Sequence, residues 1–548
     1  MSRAEEIIET MGGFETDRSN FDQLYQDAAD YAMPHNSQIV DEKSSGEPSP
    51  DLFDTTAEES NIQLASGLYS YMFPTEGRAF VLEIDDDELA ENDDIKQWLE
   101  KTTKIIHKYL ISSTFREAFF EFLKSLGVFG TSCLYEAKGR KTVITFINYF
   151  MRDIYIARNS DGDVDTVYRR FRYTARQAVQ EFGLENLGSQ IVEAYGRPKD
   201  KNKKFDFIHA VEPRDDRDPT KEDPGNMPFS SEYVSRSEKL IIRTKNGKDS
   251  SGYPELPYQI GVFDRDNMED YGRSPTMKKL PDIRMANKLK QIRVKGWDKM
   301  VDPTVMMPDD GSIWPLATQP GGVIFYRAGG DKPEYWEFKG NLSEINNAIT
   351  ETIATIQKGY FVDMFDPLID KQNMTATEIM ARVEQKLRFL IPIIGRLQSG
   401  LFNPMIQRMI GILAKQKKLP IPPKELSEKE FSVMYLGRIA LSLRTLEVEG
   451  MTKTLTAFTP LAEMNILDWL DNVETDEAFR ESWRANGASA AWLKDVGKRK
   501  TEREARAEKL AAQEQLAAMP DLMKAAKSGS TKPEDGSPTA AVMEEGIG

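Results

Sequence analysis

Apolar residues recur every three or four positions over an unusually long stretch in the second half of the chain. Between Met374 and Leu413, residues Met380, Val383, Leu387, Leu390, Ile394, Leu397, Leu401, Met405 and Met409 fall on one helical stripe. At 1.5 Å per residue the segment would span about 60 Å, far beyond an ordinary globular helix. Thr375 and Glu378 have the spacing of a capping box and mark its start. Pro392 and Pro404 each remove a backbone donor, which predicts kinks. A stripe of this length needs large partner surfaces, which favours a big or oligomeric assembly over a compact enzyme domain.

The period changes along the rest of the chain. Residues Glu5 to Tyr31 predict a helix broken at Gly12 and Gly13 and stopped near Pro34, then a polar loop from Asn36 to Pro50. A helix from Thr56 to Met72 and a short strand from Phe80 to Ile84 follow. The acidic run Asp85 to Asp94 reads as a solvated helix N-terminus, with a divalent-ion site as the alternative. Two helices are expected between Ile95 and Tyr135, one with Trp98, Ile105, Ile106, Tyr109 and Leu110 on one face, the next with Phe119, Phe120, Phe122 and Leu123. After Lys138, β-branched and aromatic residues crowd into TVITFINYF, DIYIARN and DTVYRRFRY, and Ser160, Asp161 and Gly162 supply a turn, so antiparallel sheet is predicted. A short helix ends at Gly183. Strands resume at KKFDFIHAVEP and, after a Pro- and Asp-rich loop, at EKLIIRTKN and YQIGVFDR.

Two helices, Pro275 to Met300 and Ser343 to Tyr360, bracket a small β-module, and the second runs into a loop before the long stripe. Beyond Pro420 a linker, helices from Glu447 to Thr459, Met464 to Leu470 and Asp476 to Asn486, and a polar helical tail from Lys494 complete an α+β, predominantly helical chain.

Composition narrows the chemistry. In 548 residues no run approaches the eighteen or so apolar positions of a membrane span, and the beginning of the chain lacks a signal-peptide core, so a soluble cytosolic product is expected. The single Cys133 excludes an intrachain disulfide, and His35, His107 and His209 have no ligand spacing, so neither a metal nor a cofactor is expected. With 72 Lys and Arg against 88 Asp and Glu the formal charge is −16, and any contact with nucleic acid must be local.

One segment inverts that charge. Pro275 to Met300 carries Lys278, Lys279, Arg284, Lys288, Lys290, Arg293, Lys295 and Lys299 against Asp282 and Asp298, and eight minus two leaves +6. Arg284, Lys288, Lys295 and Lys299 share one helical face, while Met285, Leu289, Ile292 and Met300 share another that is predicted to pack on a neighbour. The cationic face serves either a polyanion or plain solvation.

Catalytic motifs are thin. There is no GxxxxGK[ST] loop, no GxSxG and no HExxH. Pro308, Asp309, Glu337 and Lys339 resemble the PD…(D/E)xK arrangement of Mg²⁺ nucleases, but acid-x-Lys triplets also occur at Asp41 to Lys43, Asp94 to Lys96 and Glu384 to Lys386. No enzyme is predicted and no catalytic residue is assigned.

Four stretches, TAEESNIQLASGLYSYMFP, FGTSCLYEA, YGRSPTMKKLPDIRMANKLKQ and MTATEIMARVEQKLRFLIPIIGRLQSGLFNPMIQRM, occur in an order that resembles the head-to-tail connecting, or portal, proteins of short-tailed bacteriophages. The resemblance implies a portal fold with wing, stem, clip and crown regions, assembled as a ring of twelve around a channel for double-stranded DNA. It divides the chain into N-terminal helices and α/β wing (1–270), first stem helix (271–301), clip (302–342), second stem helix (343–360), tunnel loop and long wing helix (361–419), crown (420–493) and C-terminal tail (494–548). Channel candidates are then Arg284, Lys288, Arg293, Lys295 and Lys299, and tunnel-loop candidates are Phe361, Asp363, Met364, Phe365, Asp366 and Leu368. The implied partners are DNA without sequence preference, a terminase motor docked on the clip, capsid and scaffolding proteins and a tail adaptor, with no membrane. The implied location is the portal vertex of the virion, after synthesis in the host cytoplasm. A structural tail or adaptor protein without a channel, and the Mg²⁺ nuclease, are the alternatives.

Overall fold

Ser2 and Glu5 close a capping box, each side chain accepting from the other residue's amide, and start a helix that runs unbroken from Arg3 to Ala32. The break expected at Gly12 and Gly13 does not occur. Ala4, Ile7 and Met11 are buried against Tyr155, Tyr168, Ile208, Ala210 and Val234, and that burial outweighs the cost of about 1 kcal/mol per helical glycine. Further along, the buried Arg18 guanidinium donates to the carbonyls of Met151, Arg152 and Ile154 and pairs with Asp22 at 2.8 Å. The helix is thereby strapped to the sheet below it.

In the computed structural model the described residues are 1–40, 52–73, 78–84, 92–139, 141–218, 223–242, 252–266, 269–303, 341–365, 389–426, 432–435, 475–485 and 501–511, with single residues and pairs between them. They belong to two units. One is formed by Met1–Phe80, Lys104–Leu419 and Tyr435–Leu443, the other by Val81–Thr103, Pro420–Met434 and Arg444–Gly548. Among the described residues no helix is long and apolar enough to cross a membrane.

The strands, in chain order, are β1 (Phe80–Glu83), β2 (Thr131–Lys138), β3 (Ile144–Tyr149), β4 (Ile154–Arg158), β5 (Val164–Thr174), β6 (Lys204–Pro213), β7 (Phe229–Ser235), β8 (Leu240–Ile242), β9 (Gly252–Tyr253) and β10 (Tyr258–Val262). Three of them form an antiparallel sheet in the order β10-β2-β3, in which Cys133 faces Ile260 on one side and Tyr149 on the other. Six more form a second antiparallel sheet, β4-β5-β6-β7-β8, with β9 added to β7. Gly162 (φ 88°) makes the β4–β5 turn as the sequence predicts. Against expectation, Thr131 to Tyr135 is strand rather than the end of a helix. The helix Phe115–Phe129 stops at Gly130, where φ is 72° and an added Cβ would lie 2.5 Å from the Gly272 carbonyl oxygen. Thr131 to Leu134 are all buried, so β2 reads as a continuous run and not as alternation. The sequence also hid β7, in the expected loop, and the helix Ser189–Gly196.

The long stripe is described from residue 389 onward; Met380, Val383 and Leu387 lie outside the described residues. Leu390, Ile394, Leu397, Leu401, Met405, Met409 and Leu413 are all buried. Pro392 sits in the first turn of the helix Ile391–Leu397, where its missing N–H is not needed, and so begins a segment instead of kinking one. Pro404 does alter the helix. The residues Gln398–Phe402 form a π turn, closed by the Asn403 amide on the Gln398 carbonyl, before the α-helix Asn403–Lys415. This turn seats Phe402 among Phe73 and Phe119, each 5.2 Å away between ring centres, and Phe115 completes the cluster.

Two buried ionisable groups lie where the sheets meet their neighbours. His209 on β6 hydrogen-bonds Tyr258 and Ser231 and stacks on Tyr233 at 4.0 Å. Burial, helped by the nearby Arg169, lowers its pKa to about 3. Glu136 on β2 is fully buried with both carboxyl oxygens unpartnered among the described residues, while the Arg408 guanidinium goes to the Glu136 and Glu255 carbonyls. Desolvation pushes the Glu136 carboxyl well above its ordinary range, only partly opposed by Arg408, so it is neutral.

The second unit holds its own contacts. The Leu82 amide donates to the Thr103 hydroxyl, Trp98 donates to the Pro420 carbonyl, and Asp93 and Asp94 open the helix Asp93–Ser112. The helix Thr475–Ala485 matches the last expected one, and Asp476 on it pairs with Arg499 and Arg503. Residues 501–511 are helical and exposed, as their weakly apolar pattern predicts.

Two measurements follow. His209 stays neutral on folding while the unfolded chain binds a proton below pH 6.5, so it makes stability rise with pH. Glu136 does the reverse, since above the ordinary carboxyl pKa of 4.5 only the folded chain keeps the proton. Between pH 5 and 6.5 the two oppose each other. Urea titrations of His209→Gln should therefore show stability falling with pH relative to wild type, and Glu136→Gln the opposite, each slope changing by about 1.4 kcal/mol per pH unit. An added Cβ at Gly12 meets nothing within 4 Å, so Gly12→Ala should raise stability by about 1 kcal/mol, read as a higher urea midpoint at unchanged m-value.

Candidate nucleic-acid interface

The basic segment folds as one helix, Pro275–Val301, started by Ser274, whose hydroxyl accepts from the Met277 amide. A second helix, Leu342–Gly359, is capped by Asn341 and packs beside it. Between the two helices β11 (Val305–Met306) and β12 (Glu334–Tyr335) pair antiparallel, and the rest of the expected β-module lies outside the described residues. The pairing joins Val305 to Tyr335 and Met306 to Glu334. Asp309, Glu337 and Lys339 lie outside the described residues.

The face that packs is not the expected one. Met277, Leu280, Ile283 and Ala286 are buried, with Ile349 and Ile356 buried on the second helix. Met285 is 50% exposed, Ile292 41% and Met300 57%. The helical wheel thus chose the wrong stripe, because a second apolar stripe, Met277, Leu280, Ile283 and Ala286, lies on the same helix.

The cations differ in their partners. Lys278 pairs with Asp264, Lys279 with Asp282 at 3.1 Å and Arg284 with Asp27 at 2.7 Å, and just beyond the midpoint Lys290 pairs with the buried Asp54. The remaining four have no such carboxylate among the described residues. Lys288 bonds only to Gln291, and Arg293 lies over the Trp297 ring and donates to Asn346, while Lys295 and Lys299 are exposed without an ion pair or hydrogen bond among the described residues. From Arg284 to Lys299 the stripe runs about 22 Å along the axis. The carboxylates of Asp27 and Asp54 come from remote parts of the chain, so no local pattern announced which cations would be neutralised.

Below the hairpin, the tunnel-loop candidates begin as ordered structure. Tyr360 is buried; the Thr276 hydroxyl donates to the Gly127 carbonyl, so the Tyr360 hydroxyl donates to Thr276, at 2.7 Å. Phe361 takes a left-handed conformation (φ 59°), with its amide on the Lys358 carbonyl, and Val362–Phe365 form one helical turn. Asp363 on that turn is exposed and Met364 half-buried. Phe365 rests on the backbone at Gly67 and beside Tyr71, 5.8 Å between ring centres. The segment expected to be a loop from Phe361 thus opens on a helical turn. Asp366 and Leu368 lie outside the described residues.

Comparison with known proteins gives the family. The chain is 25% identical over 491 residues to the portal protein of Salmonella phage epsilon15, covering 87% of each chain. It is 26% identical over 455 residues to the probable portal protein of Bordetella phage BPP-1 and 23% identical over 468 residues to the portal protein of Escherichia phage T7, covering 82% of this chain and 81% of the relative in both cases. A family model, described as bacteriophage head to tail connecting protein, matches residues 4–493. The chain therefore belongs to the bacteriophage head to tail connecting protein family.

Proposed function

We propose that this chain is a portal protein, which assembles as a ring at one capsid vertex, passes double-stranded DNA inward during packaging and outward on ejection, and connects head to tail. Membership of the head to tail connecting family and likeness to three phage portal proteins support this role. In this reading the hairpin of Pro275–Val301 and Leu342–Gly359 is the stem, the β-module is the clip on which a terminase motor docks, and the segment after the stem lies at the channel. The carrying observation is the set of cations without carboxylate partners among the described residues, Lys288, Arg293, Lys295 and Lys299, within twelve positions of one helix of an acidic chain. A ring, proposed to hold twelve copies, repeats each cation around the axis. Weak, salt-screened phosphate contacts then centre a duplex without reading its sequence.

The exposed Met285, Ile292, Trp297 and Met300 support assembly, because such apolar area on a helix needs cover from a second copy. Light scattering of the purified protein should give the mass of a closed ring; a stable monomer at micromolar concentration would count against the proposal. The double change Lys295→Glu and Lys299→Glu should leave rings normal by electron microscopy while lowering packaged DNA several-fold in an in vitro packaging assay, by a margin that shrinks as salt is raised, which screens the contacts of the wild type. Unchanged packaging would reduce this face to solvated surface.

A further inference from the structure

The segment Tyr360 to Phe365 is held more firmly than a channel loop requires. Its first residue is buried and hydrogen-bonded to Thr276, its second is a non-glycine residue in the left-handed region, and its last packs on a helix backbone. A left-handed Phe361 is unfavourable by roughly 1–2 kcal/mol and persists only if its surroundings fix it. Those surroundings are specific. At Gly67 an added Cβ would stand 2.3 Å from the Phe365 ring, so only glycine in the helix Thr56–Met72 lets that ring lie down. Val362 is buried beneath the same turn.

We propose that Gly67, Tyr360 and Phe365 are positioning residues that clamp the turn and fix the point from which the chain continues after Phe365, and that genome retention depends on this clamp. The functional half rests on reading the following segment as channel-facing. Thr276 ties the clamp to the basic helix and Gly127 ties it to the Phe115–Phe129 helix, so that point is referenced to both.

Two variants test it. Gly67→Ala fills the seat while favouring its own helix, and Phe365→Ala empties the seat without touching that helix. Both should form normal rings. Chymotrypsin cleavage after Phe361 should be at least about tenfold faster in each, since cleavage follows the population of the opened turn. DNA retained in filled heads should fall in both, and Gly67→Ala combined with Phe365→Ala should be no worse than Gly67→Ala alone, because both remove one contact. Unchanged cleavage would overturn the clamp, and faster cleavage with full retention would overturn its role. Wild-type rings that hold no DNA would overturn the channel reading instead, with the cleavage result still deciding the clamp.

Discussion

A missing amide hydrogen at Pro404 shapes the long helix. Without that donor the Gly400 carbonyl has no partner four residues on, and the chain widens into the π turn Gln398–Phe402. Residues Leu401 and Phe402 are both buried, although neighbours on a regular helix point about 100° apart. The wider turn lets Leu401 continue the stripe while Phe402 enters the Phe73, Phe115 and Phe119 cluster. Tyr435 answers the loosened backbone, its hydroxyl bonding the Gln398 carbonyl and the Asn403 side chain. Through Phe402 the turn touches Phe119 of the helix Phe115–Phe129 and Phe73, which follows the helix Thr56–Met72.

The sequence was most legible where one element carries its own signal. Thr56–Met72, Pro275–Val301 and the turn at Gly162 appear where periodicity and turn chemistry put them. It was least legible where burial on both sides erased the period, as in β2, or where packing overrode a local preference, as at Gly12 and Gly13. The candidate interface was legible in part. The cationic helix could be seen in the residues, whereas the partners of Arg284 and Lys290 could not, since Asp27 and Asp54 stand more than two hundred positions away. Nor could Gly67 be singled out, because a glycine inside a helical pattern gives no hint of the ring that will lie on it.

Electrostatics also turns on distance along the chain. A net charge of −16 would repel a polyanion from the surface as a whole, yet the screening length at physiological salt is about 8 Å, so each patch acts mainly on what comes near it. Pairing within the first half of the basic helix leaves little field there. Lys288, Arg293, Lys295 and Lys299, which have no carboxylate partner among the described residues, therefore present positive charge at short range.

Burial of Cys133 in the middle of β2 has a practical consequence. It is the chain's one thiol, fully enclosed, and burial also raises its pKa, so little thiolate exists to react. A cysteine introduced at any exposed position would thus be the sole site open to maleimide dyes or spin labels. One label per copy could be placed without first removing a native residue, and distances between copies could be measured by fluorescence or electron resonance on an otherwise unaltered protein.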